Sequence, residues 1–455
     1  MTMILGIEDK YIFLVSGLIV SLLLSYKQLF ILYNKYKKTT SAKASTKSSG
    51  KKSYSSSKDD PIPQPTPLMI TPEQVANYDD RPWRPFRWPY HQTMSIFKLD
   101  VNHWLDMDKY YVHYIEEKKR IIHRYGDENI GWLPGSEDAC LELMQFVKDH
   151  MLKRYPLLFS SEDNGIHVKN HLTGEILDFS EPLKEPPLIY VSKMAKEDFY
   201  LVKKNPEDDR HYLVAAVVPF PGGSFGIKHK LGKHLDVIHS EVPYYESKLK
   251  KSMERWFERM APADLVERAS WYISWDHKLL CNNVYALKEG EKVDSDVAPD
   301  QFNVRVERQT LRRLPKSQAI IFTNHPVFYS IDEMKDEPLI PSLIKKIIYE
   351  APEGISKYKN FESFRDHIVK YLDGLIERQI ELGLIKEDTP IKTLPSYPFA
   401  HFVDNKDVNY GWTNPTVKDP EKNNYIDVAK EEIRQDELRE EMSKKTKSAE
   451  ISEQV

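Results

Sequence analysis

His239 lies in the segment GKHLDVIHSEVPYYESKL (residues 232–249), between an apolar run and an amphipathic helix. Pro243 suits the first turn of that helix. The apolar residues after it recur at helical spacing, so the helix must dock on a core: Leu249, Met253, Trp256, Phe257 and Met260. The histidine therefore stands on a short loop that a packed helix holds at one end. Either it caps the turn, or its imidazole binds a metal, since neutral imidazole is a common ligand of haem iron.

The segment VRVERQTL carries a second group of chemically capable side chains. Strand alternation places Val304 and Val306 on one face, and Arg305, Glu307 and Gln309 on the other. The valine face must pack on the core. The polar face is either solvated or lines a cavity. In a cavity, the arginine can hydrogen-bond an anionic or oxygen ligand and the glutamate can hold the charge of an amine.

A basic loop, KHKLGKH, lies just before His239. It carries two histidines and three lysines: Lys228, His229, Lys230, Lys233 and His234. The loop is either solvated or an anion site, for instance for the carboxylates of a cofactor, with Lys228, Lys233 and His234 as the candidate cofactor-binding residues.

Common catalytic motifs are missing from the sequence, which contains no GxGxxG, GxxxxGK[ST], GxSxG or HExxH. His167 and His171 have the spacing of metal ligands on a helix, but Gly165 and the neighbouring turn residues argue against a helix there. Cys140 and Cys281 form no CxxC pair. The cysteines therefore indicate neither a disulfide framework nor a cysteine-bound zinc or iron–sulfur site.

The elements that must position these residues are predicted to form an α+β body with an antiparallel sheet. The chain has 455 residues, 40% hydrophobic and 29% charged, and its net charge of −4 gives no reason to expect nucleic-acid binding. A helical stripe begins near Ser136 and ends at Pro156. Strands are expected at 187–194, 211–220, 271–280, 303–314 and 318–328, the last two as a tight hairpin, and helices at 338–350 and 361–382. The last forty residues are almost wholly charged, which predicts a solvated helix or a disordered tail.

The N-terminal region differs from this body. Residues 11–26 carry no charge, and the apolar character continues to Tyr33, long enough to cross a bilayer if Lys27 reaches the interface. A cleaved signal peptide is the alternative, but Glu8 and Asp9 precede the run and no cleavage site ends it. Eight lysines lie between Lys35 and Lys58, so the body is expected to be cytosolic. The predicted organisation is a short tail (1–10), an anchor (11–33), a Lys/Ser- then Pro-rich linker (34–80), the folded body (81–400) and a charged tail (401–455).

The body resembles the haem-dependent oxidative N-demethylase alpha-subunit-like family. Four segments carry the resemblance, in the family's order and spacing: RPWRPFRWPYHQTMSIFKLDVNHWLDMDKYY, HYLVAAVVPFPGGSF, GKHLDVIHSEVPYY and NVRVERQTLRRLPKSQAIIFT. They cover roughly residues 80–380. The chain departs from the family at FTNHPVFYS, where Asn324 and His325 stand in place of a basic-Thr-Tyr pattern.

The resemblance implies a PAS-like antiparallel sheet with helical additions, preceded in this chain by the single N-terminal transmembrane helix. It further implies haem b as the cofactor, with His239 as the axial ligand and Arg305, Glu307 and Gln309 as the catalytic face of the haem pocket. The activity it implies is oxidative demethylation, or a related oxidation, of a small amine by dioxygen.

Two functions from different classes stay open. One is a membrane-anchored haem oxidoreductase that takes electrons from a partner reductase, because the chain has no flavin or iron–sulfur motif of its own. The other is a non-catalytic haem-PAS sensor or binding protein at a membrane. For either, the expected location is a single-pass membrane protein, with the endoplasmic reticulum favoured over the mitochondrial outer membrane. The expected partners are the lipid bilayer through residues 11–33, the reductase and a small amine, with no nucleic acid.

Overall fold

A computed structural model describes residues 60–79, 81–222, 226–280, 292–400 and 425–453. Within them, a seven-stranded antiparallel sheet has the order β1-β8-β9-β10-β6-β7-β2, and a small three-stranded sheet has the order β3-β4-β5. The strands are β1 (Phe97–Lys98), β2 (Ile130–Trp132), β3 (Phe159–Ser160), β4 (His167–Asn170), β5 (Ile176–Asp178), β6 (Asp198–Lys204), β7 (His211–Val217), β8 (Val266–Ser274), β9 (Asn303–Arg313) and β10 (Ile320–Ser330). The predicted α+β class with an antiparallel sheet is therefore confirmed.

The helices of the described residues lie before, within and after the strands of the large sheet. They are α1 (Pro72–Val75), α2 (Tyr111–Tyr125), α3 (Glu137–Arg154), α4 (Pro187–Met194), α5 (Ile227–Lys230), α6 (Leu235–Ile238), α7 (Lys250–Arg259), α8 (Ile340–Glu350), α9 (Glu353–Tyr358), α10 (Arg365–Glu381) and α11 (Ile426–Glu453). A π-helical turn, Tyr245–Leu249, leads into α7.

The hairpin of β9 and β10 is the longest pairing in the sheet. It is in register from Asn303 opposite Ser330 to Arg313 opposite Ile320. On its other side β9 pairs with β8, with Tyr272 opposite Arg305 and Arg268 opposite Gln309. Because directly opposed residues of paired strands share a face, this register fixes the two faces of the sheet.

The face that carries Val304 and Val306 is buried under helices. Both valines are fully buried and belong to one apolar cluster with residues of α8 and α10, among them Ile344 and Leu372. This packing is what the valine alternation predicted. It leaves the opposite face of β9 for the polar side chains, which we call the site face.

Two apolar clusters cover the ends of the site face. At one end, helices α5, α6 and α7 pack on Tyr200, Val266 and Leu311. At the other end, Phe328 packs with Tyr114, Phe220, Leu279 and Tyr425. The middle of the site face, between the clusters, is where Arg305, Glu307 and Gln309 lie.

Two predicted elements differ from the structure. The predicted strand at 187–194 is the helix α4, with Pro187 in its first turn. A short apolar run does not distinguish a buried strand from a buried helix, and Leu188, Tyr190 and Val191 are all buried here. The strand expected at 271–280 is displaced, because β8 begins at Val266 and ends at Ser274.

The two ends of the chain bear on the remaining expectations. No helix in the described part of the chain is both long and apolar enough to span a bilayer, and the predicted anchor at residues 11–33 lies outside the described residues. Near the C-terminus, α11 is a helix, which was one of the two alternatives for the charged tail, but it is docked on the body rather than fully solvated: Ala429 is fully buried, and Arg124 of α2 pairs with Glu437.

Candidate functional site

The polar side of β9 is buried. Arg305 is 1% exposed and Glu307 2%, while Gln309 is half-buried. The interpretation of this face as solvated is therefore wrong for the Arg305–Glu307 pair. Since burying an unpaired charge is costly, both side chains need partners inside the protein.

Glu307 accepts hydrogen bonds from three side chains. Its Oε1 accepts hydrogen bonds from Arg305 Nε at 2.8 Å and from the Tyr272 hydroxyl at 2.9 Å. Its Oε2 accepts one from Asn324 Nδ2 at 2.5 Å. The chain also passes close to it at Gly222, where a Cβ would lie 3.2 Å from the Glu307 carboxyl carbon. The carboxylate is thus a fixed, neutralised acceptor and not a free anion.

Arg305 is held from both sides. Besides Glu307, its Nη1 donates to the carbonyl of Lys278 at 2.7 Å and its Nη2 to that of Leu279 at 3.2 Å. The guanidinium carbon lies 5.3 Å from the ring centre of Phe328, its cross-strand neighbour. The loop after β8 therefore sets the position of Arg305.

Two buried acceptors lie side by side on the site face. Asp198 of β6 is directly opposite Asn324 of β10, and both side chains are buried. Asp198 Oδ2 accepts a hydrogen bond from the backbone of Phe220 at 3.0 Å, but neither Asp198 Oδ1 nor Asn324 Oδ1 has a hydrogen-bond partner among the described residues. Burial raises the pKa of Asp198 well above its ordinary value. The two neighbouring side chains therefore have unused hydrogen-bonding capacity.

Arg268 is an additional cation on the site face, opposite Gln309. Burial lowers its pKa, and the phenols of Tyr397, Tyr90 and Tyr358 are the groups near enough to oppose that shift. Its Nε is buried without a hydrogen-bond partner, and no carboxylate of the described residues pairs with it. Arg268 Nε is therefore a donor that an acceptor atom of a ligand would satisfy.

His239 follows the last residue of α6, as a C-cap. Its Nδ1 lies 2.8 Å from the carbonyl oxygen of Leu235, so Nδ1 carries the proton and donates. The ring stacks on Tyr245, with centroids 5.3 Å apart and planes 13° apart. Burial lowers the pKa of His239, and the positive charges of Arg268 and Lys230 lower it further. The neutral ring therefore offers an unprotonated Nε2, the form that binds a metal.

The fold brings the turn of His239 to the Gln309 end of the site face. Leu235 and Ile238 of α6, which precede the histidine, pack on the apolar cluster that contains Leu311 of β9, two residues beyond Gln309 on the same face. The structure thus brings His239 and Arg268 to the Gln309 side of the polar row, whereas Arg305 and Glu307 lie further along β9, towards Phe328.

The basic loop is placed differently. Lys228 and Lys233 are exposed, and the ring of His234 packs on Tyr212 with centroids 5.8 Å apart. Within the described part of the chain, no contact brings these three to the site face. Lys230 is the loop residue that reaches the His239 segment, through a hydrogen bond of 3.2 Å to the carbonyl of Ile238.

The other histidines of the sequence analysis lie away from the site. His325 points to the opposite face, where its Nδ1 is 3.7 Å from Glu197. His167 is in strand β4 and not in a helix, with its Nδ1 2.6 Å from Asp163. In the described ranges, no group of three or more His, Cys, Asp or Glu side chains is arranged to hold a metal.

Sequence reasoning missed Arg268, Asp198 and Tyr272. A single Arg, Asp or Tyr in a strand-like segment gives no local signal, and only the register of the sheet brings these residues to the site face. With the register known, Tyr272 and Arg268 could have been found opposite Arg305 and Gln309 on β8. Asp198 could have been found on β6, opposite Asn324, which is itself opposite Gln309 on β10.

Comparison with known families gives a match over most of the body. Residues 95–369 match the family model described as haem-dependent oxidative N-demethylase, alpha subunit-like. The match spans more than half of the chain and contains His239 and the central strands β6 to β10. The chain therefore belongs to the haem-dependent oxidative N-demethylase, alpha subunit-like family.

Proposed function

We propose that the protein is a haem-binding oxidoreductase that demethylates a small amine, with His239 as the axial ligand. The observation that carries the proposal is the state of His239: its Nδ1 donates to the carbonyl of Leu235, and burial disfavours its protonation. An imidazole held in this tautomer keeps Nε2 as a lone-pair donor, and the hydrogen bond at Nδ1 increases the basicity of that donor.

Arg268 is the residue proposed to bind a carboxylate of haem b. Arg268 is half-buried, but its buried Nε has no acceptor among the described residues, which is unfavourable, and a propionate oxygen would supply one. We prefer Arg268 to Lys228, Lys233 and His234 for this role because it lies on the site face opposite Gln309. Exposed lysines would hold a carboxylate only weakly.

Asn324 and Asp198 are proposed to bind the amine. Because the Asn324 amide donates to Glu307, its oxygen is oriented as an acceptor, beside the unpartnered Oδ1 of Asp198. A cation between the two oxygens would favour ionised Asp198. Glu307 then acts by orienting Asn324 and Tyr272, and Arg305 by holding Glu307. This modifies the expectation that Glu307 itself meets the amine.

The bound haem would supply activation of dioxygen. One dioxygen, two electrons and two protons convert an N-methyl group into N–H and formaldehyde, with one water released. The residues of the protein bind and orient the substrate, and the buried carboxyl of Asp198 can hold a proton. The two electrons come, in this proposal, from a separate reductase.

Two further parts of the proposal concern fold and location. The five central strands β6 to β10 have the order β7-β6-β10-β9-β8, with α5, α6 and α7 between β7 and β8 over one face, which supports a PAS-like sheet. The uncharged run at residues 11–26, the apolar character that continues to Tyr33 and the lysines after it support a membrane anchor at residues 11–33 with a cytosolic body. The membrane proposed for this anchor is that of the endoplasmic reticulum.

The test is reconstitution with haemin, a chemical reductant, dioxygen and a small N-methylamine, with formaldehyde as the readout. The proposal expects formaldehyde in proportion to haem occupancy, and less of it from Asn324→Leu. Haem-loaded protein that yields no formaldehyde from secondary or tertiary methylamines would instead favour the non-catalytic haem sensor.

Arg268→Met separates cofactor binding from turnover. Loss of a charge-assisted hydrogen bond should weaken the Kd for haem by about tenfold to a hundredfold. The control is Arg255→Met, which removes an exposed arginine of α7 and should leave the Kd unchanged. Equal affinities for the two variants would refute the role of Arg268.

A further inference from the structure

Ion pairs hold the C-terminal helix α11 on the body, and we call this contact the latch. Arginines of α2 and a lysine of the loop after β8 meet its acidic side chains. The pairs are Arg120–Glu437 at 3.1 Å, Arg124–Glu437 at 2.7 Å, Arg124–Glu440 at 2.5 Å and Lys278–Asp436 at 2.8 Å. All of these side chains are partly exposed, between 28% and 48%. Pairs of this kind stabilise weakly and are screened by salt.

Tyr425, immediately before α11, is the buried end of this latch. Its hydroxyl is 3.0 Å from that of Tyr114. Its ring stacks on Tyr110 at 4.4 Å and on His277 at 5.5 Å, and meets Phe328 edge-on at 5.1 Å. Tyr425 therefore fills an aromatic box, whose walls are Tyr110, Tyr114, His277 and Phe328.

The box adjoins Arg305. Phe328, one of its walls, is the cross-strand neighbour of Arg305 and lies under its guanidinium. His277, another wall, has its backbone N–H bonded to Glu432 of α11 at 2.9 Å. The next two residues, Lys278 and Leu279, supply the carbonyls that hold Arg305. Movement of α11 would therefore change both the box and the loop that positions Arg305.

We propose that the C-terminal segment is a detachable wall of the site and that Tyr425 determines its depth. With Tyr425 in place, the Arg305 end is closed. With the segment released, the aromatic box becomes a subsite for a planar aromatic group or an alkylammonium, the ligands that aromatic faces bind. The detachment of the C-terminal segment does not depend on haem, whereas the use of the opened box as a substrate subsite rests on the proposed function.

The first experiment measures opening without haem. In the full-length chain, Cys140→Ala and Cys281→Ser first remove the native thiols. A reporter thiol, Leu279→Cys, is then introduced beside Tyr425, in the same apolar cluster, and its rate of reaction with a disulfide reagent is measured. Leu279 is 1% exposed, so the rate reports transient release. Glu437→Lys breaks two ion pairs and should accelerate the reaction about five- to tenfold. Glu441→Lys, with the same charge change at an exposed position on α11, is the matched control.

The second experiment measures access to the site in haem-loaded protein. Tyr425→Ala should accelerate the binding of imidazole, followed by the Soret band, whereas Tyr425→Phe should not. Unchanged thiol rates in Glu437→Lys would overturn the proposal that the C-terminal segment detaches. If the thiol rates are accelerated in Glu437→Lys but imidazole binding is unchanged in Tyr425→Ala, the segment detaches but does not limit access to the haem site, and that part of the proposal would be overturned. Absence of a Soret band would count against the proposed function, while the thiol rates would still decide on the wall.

Discussion

Glu307→Gln tests whether the Arg305–Glu307 pair is a buried, mutually neutralised unit. The substitution removes the charge of an acceptor that is 2% exposed and serves three donors. Removing one partner of a buried ion pair costs about 3–5 kcal/mol, because the remaining charge is left uncompensated. Arg305 keeps two backbone carbonyl acceptors, so we expect the lower end, about 3 kcal/mol of unfolding free energy.

The assay is urea unfolding followed by tryptophan fluorescence. Glu258→Gln is the matched control, since its pair with Lys204 at 3.0 Å is exposed and should contribute less than about 1 kcal/mol. Adding Arg305→Met to Glu307→Gln should restore part of the loss, because the stranded cation is removed. A cost for Glu307→Gln equal to that of Glu258→Gln, or additivity in the double variant, would refute the reasoning.

Two other stability predictions follow from burial and close approach. Burial lowers the pKa of His113 to about 4 and of His150 to about 3, so the unfolded chain binds protons that the folded chain does not. The unfolding free energy should be level above pH 6.5 and should fall towards pH 4 by up to about 1.4 kcal/mol per pH unit for each histidine; a His150→Gln variant with the same slope would contradict this. Gly222→Ala should destabilise by about 1–3 kcal/mol, because its Cβ meets Glu307. Gly374→Ala in α10, with no heavy atom within 4 Å, should instead stabilise by about 0.5–1 kcal/mol; calorimetry giving both the same sign would refute the packing argument.

The strands with strong β-branched alternation could be predicted from sequence. The 303–314 and 318–328 segments are the hairpin β9–β10, since valine and aromatic residues favour a half-buried pleated surface. The run at 187–194 could not be assigned, because it is short and buried on most sides, so neither period is visible in it. The docking of α11 was also not predictable, because ion pairs with a distant helix leave no pattern within the helix itself.

The candidate site was predictable in part. Alternation placed Arg305 and Glu307 on one face, but what covers that face comes from Gly222, from the loop after β8 and from Tyr425, which are remote in sequence. The burial of Arg305 and Glu307 could therefore not be predicted from the sequence. Arg268 and Asp198 were missed for the same reason, since they reach the site only through the register of β8 and β6.

Whether His239 binds haem iron is tested most directly by the spectrum of the haem-loaded protein. Wild type and His239→Ala would be compared by Soret absorption and by electron paramagnetic resonance of the ferric form. His234→Ala, five residues away in the same segment, is the control. We expect an imidazole-ligated spectrum for wild type and for His234→Ala. In His239→Ala this spectrum should be lost or shifted, and it should return when imidazole is added. A His239→Ala spectrum identical to that of haem-loaded wild type would contradict the assignment.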